Sequence, residues 1–110
     1  MNKVYVPQVP SKMDESTRVW VPTVNLQPAQ RFGTVEVLLP PGANRLAIKP
    51  LTDVIKEKLQ DITEDDYILA LGDPTIIGIV SVVAARNAGR LRVLKWDRNS
   101  RDYFPVEISF

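Results

Sequence analysis

The stretch "GRLRVLKWDRNSRDYFPVEISF" places five cationic side chains among a Trp, a Tyr and two Phe. On one face, such residues can hold a single-stranded nucleic acid: rings stack bases for about 1–3 kcal/mol each, and cations hold the phosphates. "RLRVLKW" and "YFPVEISF" flank the polar "DRNSRD" and predict an antiparallel hairpin. Pairing Trp96 with Tyr103 sets Val93 opposite Val106 and Leu91 opposite Ile108, an apolar face that also takes Phe104. The other face carries Arg90, Arg92, Leu94 and Trp96 across from Ser109, Glu107, Pro105 and Tyr103. With Arg98 and Arg101 in the turn, the candidate nucleic-acid or partner face is Arg90, Arg92, Trp96, Arg98, Arg101 and Tyr103. A plainer reading fits the same residues. Arg92 across from Glu107 is an ordinary cross-strand ion pair, and Trp96 beside Tyr103 an ordinary aromatic pair. Pro105 lacks an amide proton and predicts an edge strand.

A second cluster, Asp61, Glu64, Asp65 and Asp66, raises the question of a divalent cation. Its spacing lacks the calcium-loop pattern with a central Gly and terminal Glu, so no metal site is expected. These acids read as surface groups that can meet a basic partner, or the basic hairpin of a second copy. "LGDPT" invites a phosphate-loop reading, but it has one Gly, no following Lys, and an Asp that repels phosphate. The chain has no Cys and no His. That removes thiolate ligands, the commonest metal ligand and the usual acid/base group near neutral pH. Ser81, Ser100 or a Lys are the remaining nucleophile candidates, with carboxylates as bases, and no orienting base is evident for either Ser. No catalytic residue, cofactor or metal is therefore expected, and the protein reads as a non-enzyme.

The elements that must position these residues follow from punctuation and period. "GDPTIIGIVSVVAARNAG" predicts a helix with Asp73 as N-cap, Pro74 at its first position and Gly89 past its end. Its residues leave almost no polar face, which predicts a central, buried helix. "LTDVIKEKLQDI" predicts an amphipathic helix capped by Thr52 or Asp53, with Leu51, Val54, Ile55, Leu59 and Ile62 on one stripe. "RFGTVEVLLPPG" and Tyr67–Leu71 predict strands, and "ANRLAIKP" another short extended piece. Eight of the nine prolines fall before residue 75. "VYVPQVP" and "RVWVPTVNLQP" therefore read as extended segments of an arm, joined by a loop at "SKMDEST". The expectation is one α+β domain over residues 1–110. Residues 1–30 form a Pro-rich extended arm, and residues 31–110 a compact core. That core is a small mixed or antiparallel sheet with a buried apolar helix, a second amphipathic helix and the C-terminal hairpin.

An apolar fraction of 45% suffices for a core, and 25% charge is ordinary for a globular protein. The net charge of +1 hides segregation: +3 over residues 1–52, −5 over 53–85 and +3 over 86–110. Such a protein is no general polyanion binder, and its opposed regions can pair two copies or meet a partner of mixed charge. The N-terminus lacks a secretory pattern, and the longest uncharged apolar stretch, Pro74–Ala85, is far short of the ~20 residues that span a bilayer. A cytoplasmic protein without a membrane partner is expected.

"VYVPQVP", "ALGDPTIIG" and "LRVLKWDR" together resemble a group of small proteins encoded by tailed bacteriophages, over Val4 to Val106. The resemblance carries no site residues with it. It implies the cytoplasm of an infected bacterium and an accessory or host-directed role without catalysis. The leading functional expectation is a small binding protein that acts through protein–protein interaction with host or phage machinery. A single-stranded nucleic-acid binder using the hairpin is the second, and a structural or assembly component of a phage particle the third.

Overall fold

A strand that begins at Lys3 lies inside the sheet, between two neighbours. In the computed structural model, which describes residues 2–109, β1 (Lys3–Gln8) pairs in parallel with β4 (Thr34–Leu39) on one side and β5 (Tyr67–Leu69) on the other. Val4 to Gln8 are all buried, as suits a parallel strand covered on both faces. The expected arm is therefore corrected over Lys3–Gln8. Pro7 suggested an arm because a central strand needs its amide protons. The register with β4 omits Pro7, and the pairing with β5 stops at Tyr5, so the proline sits where the ladder does not use it.

β2 (Ser11–Asp14) and β3 (Val19–Pro22) form a separate antiparallel hairpin where a loop was expected at "SKMDEST". A short 3-10 helix, Gln27–Phe32, then leads into β4. The sheet continues past β5 with β6 (Leu91–Asp97), parallel to it, and β7 (Asp102–Ile108), antiparallel, in the order β4-β1-β5-β6-β7. The class is α+β, with a mixed sheet and the C-terminal hairpin at its edge.

Helix α1 (Ile48–Lys58) connects β4 to β5. It starts one turn earlier than expected, inside the segment read as extended. Its N-cap Ala47 makes no side-chain cap, and the Thr52 hydroxyl donates back to the Ile48 carbonyl at 2.7 Å. Pro50 causes no break, because first-turn amides have no intrahelical acceptor. Of the predicted stripe, Leu51, Ile55, Leu59 and Ile62 are buried, while Val54 lies at its margin and is exposed.

Helix α2 (Pro74–Ala88) has the expected ends. Asp73 accepts from the amides of Thr75 at 3.0 Å and Ile76 at 3.4 Å, and Gly89 takes φ 84 while its amide donates to Ala85. Its burial is not as expected. Ile76, Val80, Val83 and Ala84 face the core, whereas Val82 is 67% exposed. α2 lies beside α1 on one face of the sheet, and their stripes share a core with Tyr5, Leu38 and Ile68. The sheet is the middle layer, so a helix on its face keeps an outward side. The opposite face is covered by the 3-10 helix, whose Ala29 packs with Val4, Val6, Leu69, Leu94 and Tyr103.

Candidate functional site

The hairpin forms with the register its alternation predicts: Trp96 opposite Tyr103, Val93 opposite Val106, Leu91 opposite Ile108. What the chain does with the basic face differs. Tyr103 is 4% exposed and packs in the cluster beneath the 3-10 helix, and burial pushes its phenol above the ordinary value. Arg31 of that helix donates to the Tyr103 carbonyl at 2.8 Å and pairs with Asp102 at 3.0 Å. Arg92 forms no pair with Glu107. Its guanidinium lies 4.1 Å from the centre of the Tyr67 ring and donates to the Tyr67 hydroxyl and, at 3.2 Å, to the Asp65 carbonyl. Glu107 is paired by Arg90 instead, at 2.8 Å.

Three of the six candidates remain open. Trp96 is 47% exposed and meets Tyr103 edge-on, with ring centres 5.0 Å apart. Arg98 and Arg101 are exposed in the turn and pair with no acid among the described residues. Asp97 organises that turn, accepting from the Asn99 amide at 3.1 Å and the Ser100 hydroxyl at 2.9 Å. The Asn99 amide, then the Ser100 hydroxyl, hold its carboxyl below the usual value. One ring and two cations form a stub of a platform, because the second ring is used by the core.

The larger open surface lies on the other side of the sheet. A groove of about 760 Å³ runs between α1 and α2, with Lys56 and Gln60 on one wall and Gly78, Ile79, Val82 and Arg86 on the other. Its floor is apolar, and Lys56 and Arg86 pair with no acid among the described residues. A Cβ at Gly78 would meet nothing within 4 Å, so the chain's own packing does not require this glycine. The signal was present in the sequence as a helix without a charged residue from Pro74 to Ala85. It was read as burial within the chain.

A family model described as Phage Pam3 gp32-like protein matches residues 2–110. The chain belongs to that phage family. No curated protein matches it, and no solved structure does. The resemblance to phage-encoded proteins is thus borne out over nearly the whole chain.

In this Pam3 gp32-like protein the acidic cluster divides. Asp66 is buried, accepting from the amides of Lys3 and Thr63, both at 2.8 Å, and from the Thr63 hydroxyl at 3.3 Å. It ties the entry of β5 to the first residue of β1, and is no part of a surface patch. Asp61, Glu64 and Asp65 are exposed. Among the described residues no group of three or more acids is arranged to hold a metal ion. Nor is any helix among them long and apolar enough to cross a membrane.

Proposed function

We propose that this phage protein is a non-enzymatic binding protein that engages another protein through the outer face of α2 and its groove against α1. The observation that carries the reading is Val82, 67% exposed on a helix with no charge from Pro74 to Ala85. A helix apolar all round belongs in an interior, and contiguous exposed apolar surface marks interaction sites. Gly78 adds to this. A mid-helix glycine costs about 0.5–1 kcal/mol relative to alanine, and here no contact within the chain requires it. An absent side chain lets a second backbone approach closely.

The rim specifies the occupant. With Lys56 and Arg86 unpaired at either wall, the fitting partner is an amphipathic segment presenting apolar side chains flanked by carboxylates. A symmetric pair of copies meeting on this face would set Lys56 and Arg86 against the same cations of the other copy, which disfavours a homodimer here. The partner belongs to host or phage machinery, a particle component included. Nucleic-acid binding retains only Trp96, Arg98 and Arg101 in its favour.

Site-specific photo-crosslinking tests the reading. A photoreactive phenylalanine at position 82, irradiated in infected cells, is expected to link to one protein at a peptide rich in apolar and acidic residues. The same group at position 96 is expected to give no such product. No adduct from position 82, or adducts only to nucleic acid or to a second copy of the chain, would refute the reading.

A further inference from the structure

A third opening has neither the groove's chemistry nor the hairpin's. The chain leaves β1 toward β4 across the face covered by the 3-10 helix, and leaves β5 toward β6 across the face covered by α2. Between the carboxyl ends of these neighbouring parallel strands the two exits diverge, and a crevice opens. Open α/β sheets hold ligands at such a divergence. Topology supplies only the place, so the chemistry must come from the side chains.

The crevice has a volume of about 380 Å³, within the range of small-molecule sites, and Gln8, Trp20, Arg45, Gly72 and Asp73 are among the residues that line it. Gly72 takes φ 115, and a Cβ there would stand 2.9 Å from the Gln8 Cβ and 3.0 Å from its carbonyl oxygen. Glycine is required for the exit of β5 to press against the end of β1. Gln8 is only 6% exposed. Its side-chain nitrogen donates to the Pro40 carbonyl at 3.1 Å and approaches the Pro41 carbonyl at 3.5 Å. Two carbonyl acceptors fix which way this amide points. The side-chain oxygen of Gln8 accepts from no group among the described residues, and it is not sealed off from solvent. A nearly buried residue that lines this crevice thus carries an acceptor with no partner among the described residues, and a half-exposed indole lines the same crevice.

We infer that this crevice binds an aminopurine nucleoside, its base against Trp20 and its exocyclic amino group donating to Gln8 Oε1. The flat indole suits a flat ring. The open acceptor demands a donor, because a base with a carbonyl at that position would leave two acceptors facing each other. The ligand is an uncharged nucleoside rather than a nucleotide. Asp73 already occupies the first free amides of α2, and its carboxylate would repel a phosphate. Arg45 reaches Asp73 only at 3.9 Å, so that charge is weakly compensated.

Adenosine and inosine differ at the atom in question and serve as the probes. Each is titrated into isotope-labelled wild-type protein to about 5 mM, a range that still reports a weak site. Adenosine is expected to shift the amide resonances of Gln8 and Gly72 and the indole resonance of Trp20, and to bind at least about tenfold more tightly than inosine. Trp20→Ala is expected to weaken adenosine binding about tenfold. The comparison of the two nucleosides on the wild type needs no variant to fold. Absence of shifts at these residues with adenosine, or equal binding of inosine, overturns the inference. Neither outcome bears on the groove between α1 and α2.

Discussion

The hairpin β6–β7 and the helix α2 are joined through Gly89, and their outer surfaces meet opposite fates. On the hairpin the chain covers itself: Ala29 and Arg31 of the 3-10 helix bring Tyr103 into a core, and Arg92 lies against Tyr67. On α2 one face joins the core, while Gly78 and Val82 stay outside with no other element over them. The basic, aromatic surface is therefore covered over Tyr103 and Arg92, and the apolar surface is the one left open. Composition shows what a surface can bind. Coverage by distant parts of the chain decides whether it is available.

That contrast can be broken most sharply on α2. Val80→Asp buries a charge with no partner, a loss of several kcal/mol against a typical total of about 5–15, and should leave no cooperatively folded protein. Val82→Asp sits in solvent and should change stability by no more than about 0.5 kcal/mol. Thermal melts of the two variants check this; similar melting would mean that α2 is oriented differently.

On the hairpin, Tyr103→Ala removes a buried ring and should cost about 3 kcal/mol or more. Trp96→Ala loses an edge-on contact and part of an exposed ring, and should cost about 1 kcal/mol. Denaturant titration of both variants ranks them, and a larger loss at Trp96 would place the platform ring in the core instead.

Much of this was legible locally. The hairpin register followed from alternation on either side of the polar turn, and the ends of α2 from Asp73, Pro74 and Gly89. The strand order was not legible, because parallel pairing leaves no turn in the sequence to mark it, and Pro7 disguised a central strand as an arm. Nor was the covering of Tyr103, whose carbonyl is held by a side chain 72 residues away. The candidate face is divided for that reason. Its turn is open, its ring Tyr103 is not, and Arg92 found Tyr67 rather than Glu107. Asp66 was misread likewise, since its partner Lys3 lies 63 residues back. The crevice beside Gln8 depends on the parallel order and could not be seen without it.

Two smaller effects sharpen the account of the turn. Of the four arginines on the candidate face, only Arg98 and Arg101 have no partner among the described residues. Binding of a fluorescent oligonucleotide there should therefore fall with salt at a slope no steeper than about −1.4, the value for two phosphates on a single strand. A slope near twice that would show that Arg90 and Arg92 leave their partners to bind. At low pH, Asp97 is the sensitive group. Its carboxyl is depressed in the folded turn, so its contribution is present above the ordinary carboxylate value and is lost as pH falls through the folded value, below about 4. The Asn99 amide resonance followed from pH 7 to 2 should report this loss in the wild type, and Asp97→Asn should abolish the transition.

The most direct test of the central claim is calorimetry with the peptide that crosslinks to position 82. Binding is expected to be lost in Val82→Asp, weakened at least about tenfold in Lys56→Glu/Arg86→Glu, and unchanged in Trp96→Ala. Undiminished binding by Val82→Asp together with loss in Trp96→Ala would place the docking surface on the hairpin and contradict the account.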